Sequence, residues 1–418
     1  MLRGWHAPRS VHLTLQIMLV SPMHCILHIG TEKTGTTLIQ KWLYENREAL
    51  SDEGIALTKT VGAPNNRGLA DAFSDKIDLH LSVRRVSTET ELSDYSEQQR
   101  RLLRQELKEL GKSHSSVIFT SEQLHSRLTT TDEIVRLKSF LDEFFDSYQV
   151  NCYFREQSRV RTSLYSTALK SEFGIDILHF QNDVDLDDPY YNYVKFFGMW
   201  EAVFGLSALR PRLYDRQQFE DGDIRKDFLG TVRPNVPVEK LGFETSVANE
   251  SLSVDAGELF KSINSARSVR TGRFIDPTPG FVKSIVSKLT LIDQQTPIHD
   301  PRQQAMYDLF NESNIVFFER YFGKAENLFP QPEQREEGKQ KKQYGIDTLA
   351  EFAATLLHDT NLILMKNDEI NFLRDFADTL LDEEKITKEE ALKLLKIANR
   401  ARPNGGGIRA RINRLMKK

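Results

Sequence analysis

Ile26-Leu27-His28-Ile29-Gly30-Thr31-Glu32-Lys33-Thr34-Gly35-Thr36-Thr37-Leu38-Ile39-Gln40 runs from a short apolar strand, through a loop bounded by two glycines, into an amphipathic helix. That order builds an anion site, because the unpaired N–H groups of a helix N-terminus face whatever lies ahead of them. Two hydroxyl residues, Thr36 and Thr37, stand in the first helical turn. A loop for nucleotide β- and γ-phosphates would read Gly-x-x-x-x-Gly-Lys-Ser/Thr. Here Thr36 occupies the lysine position, and the lysine comes two residues before the second glycine, at Lys33. The displacement implies a phosphate cradle adapted to something other than a β/γ-phosphate with magnesium.

The flanking sequence repeats a strand-then-helix order. The first strand is expected over Cys25–Ile29, continuously apolar as strands covered on both faces are. The helix after it places Leu38, Ile39, Trp42, Leu43, Ala49 and Leu50 mostly on one face and stops near Gly54. Further strands are expected at Ile55–Thr58, Val117–Phe119, Val150–Phe154 and Leu209–Tyr214. Asp94-x-x-Glu97 and Thr130-x-x-Glu133 read as capping boxes, and a helix from about Gln157 carries Ser163. Residues 59–93 read as a polar, irregular loop over a binding site. The expected fold is α/β: a P-loop-like core with a central parallel sheet flanked by helices, plus a small C-terminal helical region. Ligands of such sheets bind beyond the carboxyl ends of the strands. Three chemistry-bearing segments (30–37, 121–125 and 155–163) each begin where a strand ends.

At 418 residues the chain is long enough for a substantial core and more than one domain. Its 56 basic and 60 acidic residues nearly cancel, so no nucleic-acid partner is expected. Cys25 and Cys152 fall in predicted interior strands and read as buried thiols of a reducing compartment, which points to the cytoplasm. Residues 1–22 read as a disordered leader or a misassigned start. Their apolar run is broken by His12, Thr14 and Gln16 and lacks a cleavage signal. The core domain is expected over 23–330, followed by a charged linker at 331–344 and a helical region at 345–400. There Leu349, Phe352, Leu356 and Leu357 share a face, and Thr387-x-x-Glu390 caps a last helix. A basic tail at 401–418, with a Gly405-Gly406-Gly407 hinge, reads either as solvated or as a patch for an anionic membrane surface or polysaccharide.

Lys33-Thr34-Gly35-Thr36-Thr37 resembles the Lys-Ser/Thr-Gly-Thr-Thr loop of sulfotransferases that use 3′-phosphoadenosine 5′-phosphosulfate (PAPS). Tyr153-Phe154-Arg155-Glu156-Gln157, with Ser163-Leu164-Tyr165 following, is similar to a bacterial branch of that family. Weaker likenesses lie in Asn249-Glu250-Ser251-Leu252-Ser253 and in Leu213-Tyr214-Asp215 with Asp227-Phe228-Leu229. The resemblance covers about residues 24–330 and leaves the C-terminal helices unmatched. It implies that residues 33–37 wrap the 5′-phosphosulfate of PAPS as co-substrate, and that Arg155 and Ser163 hold its 3′-phosphate. The acceptor it implies is a hydroxyl on a carbohydrate or glycan precursor.

The residue types suit that chemistry. Sulfuryl transfer needs a cradle, a cation at the leaving oxygen and a base for the acceptor's proton. Lys33 is a mobile point charge for the leaving phosphate, and no metal site is required. Glu122, just past the Val117–Phe119 strand, is the first candidate base or a residue that positions acceptor or lysine. His125 is the rival, because cytosolic small-molecule sulfotransferases use histidine, and His80 in the 59–93 loop is a third. The plain alternatives are a turn lysine, an Arg155 salt bridge to Glu156 or Glu172, and a small helical residue at Ser163. Arg159 and Arg161 read as solvated. Tyr190, Tyr191, Tyr193 and Trp200 read as core, with sugar stacking as the alternative. Two other functions stay open: a P-loop kinase or nucleoside triphosphatase, and a non-catalytic scaffold acting through its C-terminal helices.

Overall fold

Strands β1 (His24–His28), β2 (Ile55–Leu57), β3 (Ser116–Thr120), β4 (Ser147–Phe154) and β5 (Leu209–Leu213) form one sheet in the order β2-β3-β1-β4-β5. Every pairing is parallel, and at the carboxyl end His28 of β1 lies between Thr120 of β3 and Asn151 of β4. The computed structural model describes residues 23–170, 176–233, 236–245 and 300–332, single positions from 252 to 298, and parts of 370–416. The chain divides into two compact units. Met1–Thr167, Asp176–Ser251 and His299–Gln334 form the first; Ala168–Ile175, Leu252–Ile298 and Arg335–Lys418 form the second.

Alternation along the strands sends residues to two separate apolar layers, as the pleat requires. Cys25, Leu27, Val117, Phe119, Val150, Cys152 and Phe154 face one layer. It is closed by α5 (Glu89–Leu110), α7 (Thr131–Leu141), α9 (Tyr193–Phe204) and α11 (Gln303–Phe322). Ile26, Ile118 and Tyr153 face the other, closed by α1 (Thr36–Glu45) and α10 (Ile224–Val232). With helices on both faces, β1 is enclosed beyond its first residue: Cys25, Ile26 and Leu27 are 0% exposed. Each such side chain contributes roughly 1.5–3 kcal/mol by leaving water. The order makes β1 the switch point, since the chain leaves it toward β3 and crosses back to β4. In open α/β sheets that is where a ligand crevice forms.

Several sequence expectations need correction. The helix expected to start at Asp94 is α5, and it begins five residues earlier. Thr88 accepts from the Glu91 N–H, and Glu91 reaches back to the Thr88 N–H. Asp94-x-x-Glu97 merely repeats the pattern inside the helix. Residues 59–93 are not one irregular loop, because α3 (Arg67–Asp71) and α4 (Leu79–Val83) interrupt them. Arg161, expected in solvent, is buried on α8 (Gln157–Lys170). Its guanidinium pairs with Asp300 and donates to the Ile177 carbonyl (2.6 Å) and to that of Phe180.

In the second unit, residues read as a basic tail include a helix at Gly406–Met416 that packs with Lys388–Ala401. Ile408, Ile412 and Leu415 give it an apolar stripe. Arg411 pairs with Asp378, and Arg414 approaches the same carboxylate at 3.5 Å. The charge-rich composition concealed the stripe. Thr387 and Glu390 do form the capping box. The leader, the linker from 333 onward, the Leu349–Leu357 face and the Asn249–Ser253 run apart from Leu252 lie outside the described residues. Among those described, no helix is long and apolar enough to cross a membrane.

The Arg161–Asp300 pair is fully buried, so removing one partner strands a charge. Asp300→Ala is expected to lower the unfolding free energy of the first unit by about 3–5 kcal/mol in denaturant titrations. A loss under about 1 kcal/mol would return Arg161 to solvent.

Candidate functional site

Three positive φ angles shape the turn between β1 and α1: Gly30 (81°), Lys33 (67°) and Gly35 (74°). A Cβ on Gly30 would meet Glu122 Cα and Cβ at 3.0 Å, and one on Gly35 would meet Tyr214 Cε2 at 3.1 Å. Both positions favour glycine by their positive φ, and the tight contacts add to that, most at Gly30, where backbone of Glu122 is the neighbour. Lys33 has no such excuse. A lysine held in the left-handed region costs about 1–3 kcal/mol, and such strain gathers at functional sites. Left-handed residues alternating with right-handed ones turn successive N–H groups to one side, forming an anion-binding nest. Among the described residues, the N–H groups of Lys33, Thr34, Gly35, Thr36 and Thr37 have no hydrogen-bond acceptor. The Thr34 hydroxyl turns inward, donating to the Thr31 carbonyl (2.6 Å), while Thr37 is exposed.

Cations stand at the rim of this nest. Arg155, just past β4, donates to the Lys33 carbonyl (3.1 Å) and lies 5.5 Å over the Tyr214 ring. Tyr214 follows β5 and donates its N–H to the Phe154 carbonyl (2.7 Å). The Lys33 ammonium donates to Thr167 Oγ1 on α8 (2.8 Å), one turn beyond Ser163, whose carbonyl accepts from Thr167 (3.1 Å). Burial pulls the Lys33 ammonium below its ordinary range, Glu32 opposes this, Arg155 adds to it, and Glu122 opposes it. The structure thus brings Lys33, Arg155 and the loop amides together and leaves Ser163 half-buried on the neighbouring helix.

Glu122 sits between β3 and α6 (Gln123–Arg127). Its Oε2 accepts from Gln40 on α1 (2.5 Å), and its Oε1 accepts from Asn65 (3.1 Å) and Gln123 (3.3 Å). Three amide donors occupy three of roughly four lone-pair directions of the carboxylate. The group is held in one orientation with one direction left, which suits a proton acceptor or an anchor for a hydroxyl.

His125 does not fit the rival role given to it above. It is 2% exposed, and both ring nitrogens face the backbone. Nδ1 accepts from the Glu32 N–H (3.4 Å), and Nε2 donates to the Tyr190 carbonyl (3.0 Å). Burial pushes the imidazole down to about 4, so it is neutral near pH 7. His80 is engaged as well, with Nδ1 3.4 Å from Asp71 and Nε2 accepting from Arg84 (3.3 Å). Tyr191, Tyr193 and Trp200 are core. Tyr190 is half-buried and donates its hydroxyl to Glu32 (2.9 Å).

Sequence reasoning gave no role to Gln40, Asn65, Gln123, Tyr214 or Thr167, and it read Tyr190 as core or a sugar-stacking ring rather than a partner of Glu32. Gln40 was accessible, because it lies one helical turn after Thr36 and so on the loop side of α1. Tyr214 was accessible from its place at a strand end. Asn65 belongs to the 59–93 stretch expected over a site, whereas the positions of Thr167 and Tyr190 are encoded by no local pattern.

The strained lysine backbone makes a stability prediction. Lys33→Gly should be about 1 kcal/mol more stable than Lys33→Ala in thermal or denaturant unfolding, because both lose the side chain and only glycine accepts the turn. Equal stabilities would mean that the loop relaxes out of the left-handed region.

No family model and no solved structure matches this chain. One relative does, an uncharacterized protein of Archaeoglobus fulgidus, 24% identical over 198 residues. The match covers 46% of this chain, which aligns with only half (50%) of that protein's length.

Proposed function

We propose that the protein is a PAPS-dependent sulfotransferase acting in the cytoplasm on an acceptor hydroxyl, with a carbohydrate as the expected acceptor class. The observation that carries this reading is the run of five N–H groups at 33–37 without an acceptor among the described residues, beside Lys33 and Arg155. The displaced lysine and the absence of lysine at Thr36 favour a phosphosulfate over a triphosphate. PAPS supplies an activated sulfuryl group.

The chain's own residues divide the remaining work. The loop amides hold the phosphosulfate oxygens, and Arg155 with Ser163 holds the 3′-phosphate, where a guanidinium fork suits phosphate geometry. As the new acceptor O–S bond forms, the phosphate–sulfuryl S–O bond breaks and its electron pair passes to the leaving phosphate. Lys33 meets that growing charge once it leaves Thr167. Glu122 takes the acceptor's proton through its remaining lone-pair direction. The amides of Gln40, Asn65 and Gln123 keep the carboxylate oriented, so little reorganisation accompanies the step.

Calorimetry with 3′-phosphoadenosine 5′-phosphate (PAP), against ATP with magnesium, tests the reading. Binding of PAP without ATP binding is expected, together with transfer of labelled sulfate from PAPS to glycan acceptors. Binding of ATP with magnesium and not PAP would place the protein among kinases or nucleoside triphosphatases. Glu122→Gln should abolish transfer while PAP affinity stays within about threefold. Unchanged transfer in that variant would give the base role to another residue.

A further inference from the structure

Lys33 ties the anion loop to Arg155 and to α8. Its carbonyl accepts from Arg155 (3.1 Å), just ahead of the helix, and its ammonium donates to Thr167 Oγ1 on the helix (2.8 Å). The face of α8 that carries Thr167 therefore lies along the loop. Residues four apart in a helix share a face. Stepping back from Thr167 in that way gives Ser163 and then Arg159. Arg159 thus stands one turn, about 6 Å, before Ser163 on the face that meets Lys33.

Arg159 is the arginine of this segment with nothing to hold. Arg155 binds the Lys33 carbonyl and lies over the Tyr214 ring, and Arg161 is buried against Asp300. Arg159 is exposed, and among the described residues its guanidinium has no hydrogen-bond or ion-pair partner. The acid nearest to it in sequence, Glu156, is engaged by the start of the helix. Its carboxylate accepts from the Ser158 N–H (2.8 Å), the Ser158 hydroxyl (2.6 Å) and the Arg159 N–H (3.0 Å). Those amides are closed, so an anion at this end of α8 must be met by side chains. Burial pulls the Arg155 guanidinium below its ordinary range, Tyr214 opposes this, and the like charge of Arg159 adds to it. An anion within reach of both guanidiniums relieves that repulsion.

We infer that Arg159 is a further nucleotide-binding residue, its guanidinium closing with Arg155 and Ser163 on the ribose 3′-phosphate. The site then selects a nucleotide with a second phosphate on its ribose over one with a 5′-phosphate alone. The inference rests on the reading of residues 33–37 as the PAPS cradle and adds to it the residue that sets nucleotide choice. Arg159 leaves water for the phosphate and gives up side-chain freedom, so its contribution is that of one solvated charge-assisted hydrogen bond.

Calorimetry on the full-length chain with PAP and with adenosine 5′-phosphate, which lacks the 3′-phosphate, tests this. Arg159→Gln should weaken PAP about tenfold and adenosine 5′-phosphate by less than about twofold. Arg159→Lys keeps the charge without the fork and should bring PAP affinity back to within about threefold of the native chain. A structural role for Arg159 would weaken both nucleotides alike. That result overturns the inference, and so does unchanged PAP affinity in Arg159→Gln. Native protein that binds PAP while Arg159→Gln binds it equally well leaves the sulfotransferase reading standing. Native protein that binds no PAP overturns both.

Discussion

The site depends on a backbone constraint: Lys33 and Gly35 both have positive φ in the turn whose N–H groups, from Lys33 to Thr37, have no acceptor among the described residues. Glycine adopts that shape freely, but lysine does not. The conformation persists because its surroundings over-determine it. Arg155 holds the Lys33 carbonyl, Thr34 closes the turn onto Thr31, and the Glu32 amide is taken by His125. Each of these partners is set by the sheet, so the strain in the loop is offset by order built elsewhere.

The sheet order explains why these groups meet. With β1 central between β3 and β4, the segments leaving three adjacent strands share one edge. The loop leaves β1, Glu122 leaves β3, and Arg155 leaves β4, while Tyr214 from β5 packs against both Gly35 and Arg155. Gly30 lets Glu122 approach the loop, and Gln40 ties that carboxylate to the first helix. The loop amides, the cations and the carboxylate thus gather at one edge of the sheet. In the proposed transfer such preorganisation is what electrostatic catalysis would draw on.

The sheet was legible because β1, β2 and β3 are short, mostly apolar runs and each strand gives way to a polar segment. All five appear within three residues of the expected ends. The turn from β1 into α1 was legible for the same reason, since two glycines and a helix start are local signals. What escaped depends on distant partners. His125 looked like a base because small-molecule members of the resembled family use histidine, and only the fold shows both nitrogens engaged by backbone. Arg161 looked solvated because its acceptors, Asp300 and the Ile177 and Phe180 carbonyls, lie up to 139 residues further along the chain. The tail helix was hidden by its arginines, whose counter-charge at Asp378 precedes them by more than 30 positions.

The central claim is that the loop from Lys33 to Thr37 is a phosphosulfate cradle. A crystal structure of the protein soaked with PAP measures this most directly. The account predicts the 5′-phosphate within hydrogen-bond distance of the amides of residues 34–37 and the 3′-phosphate against Arg155 and Ser163. A nucleotide bound elsewhere, or bound in this loop with its 3′-phosphate turned away from Arg155, would contradict it.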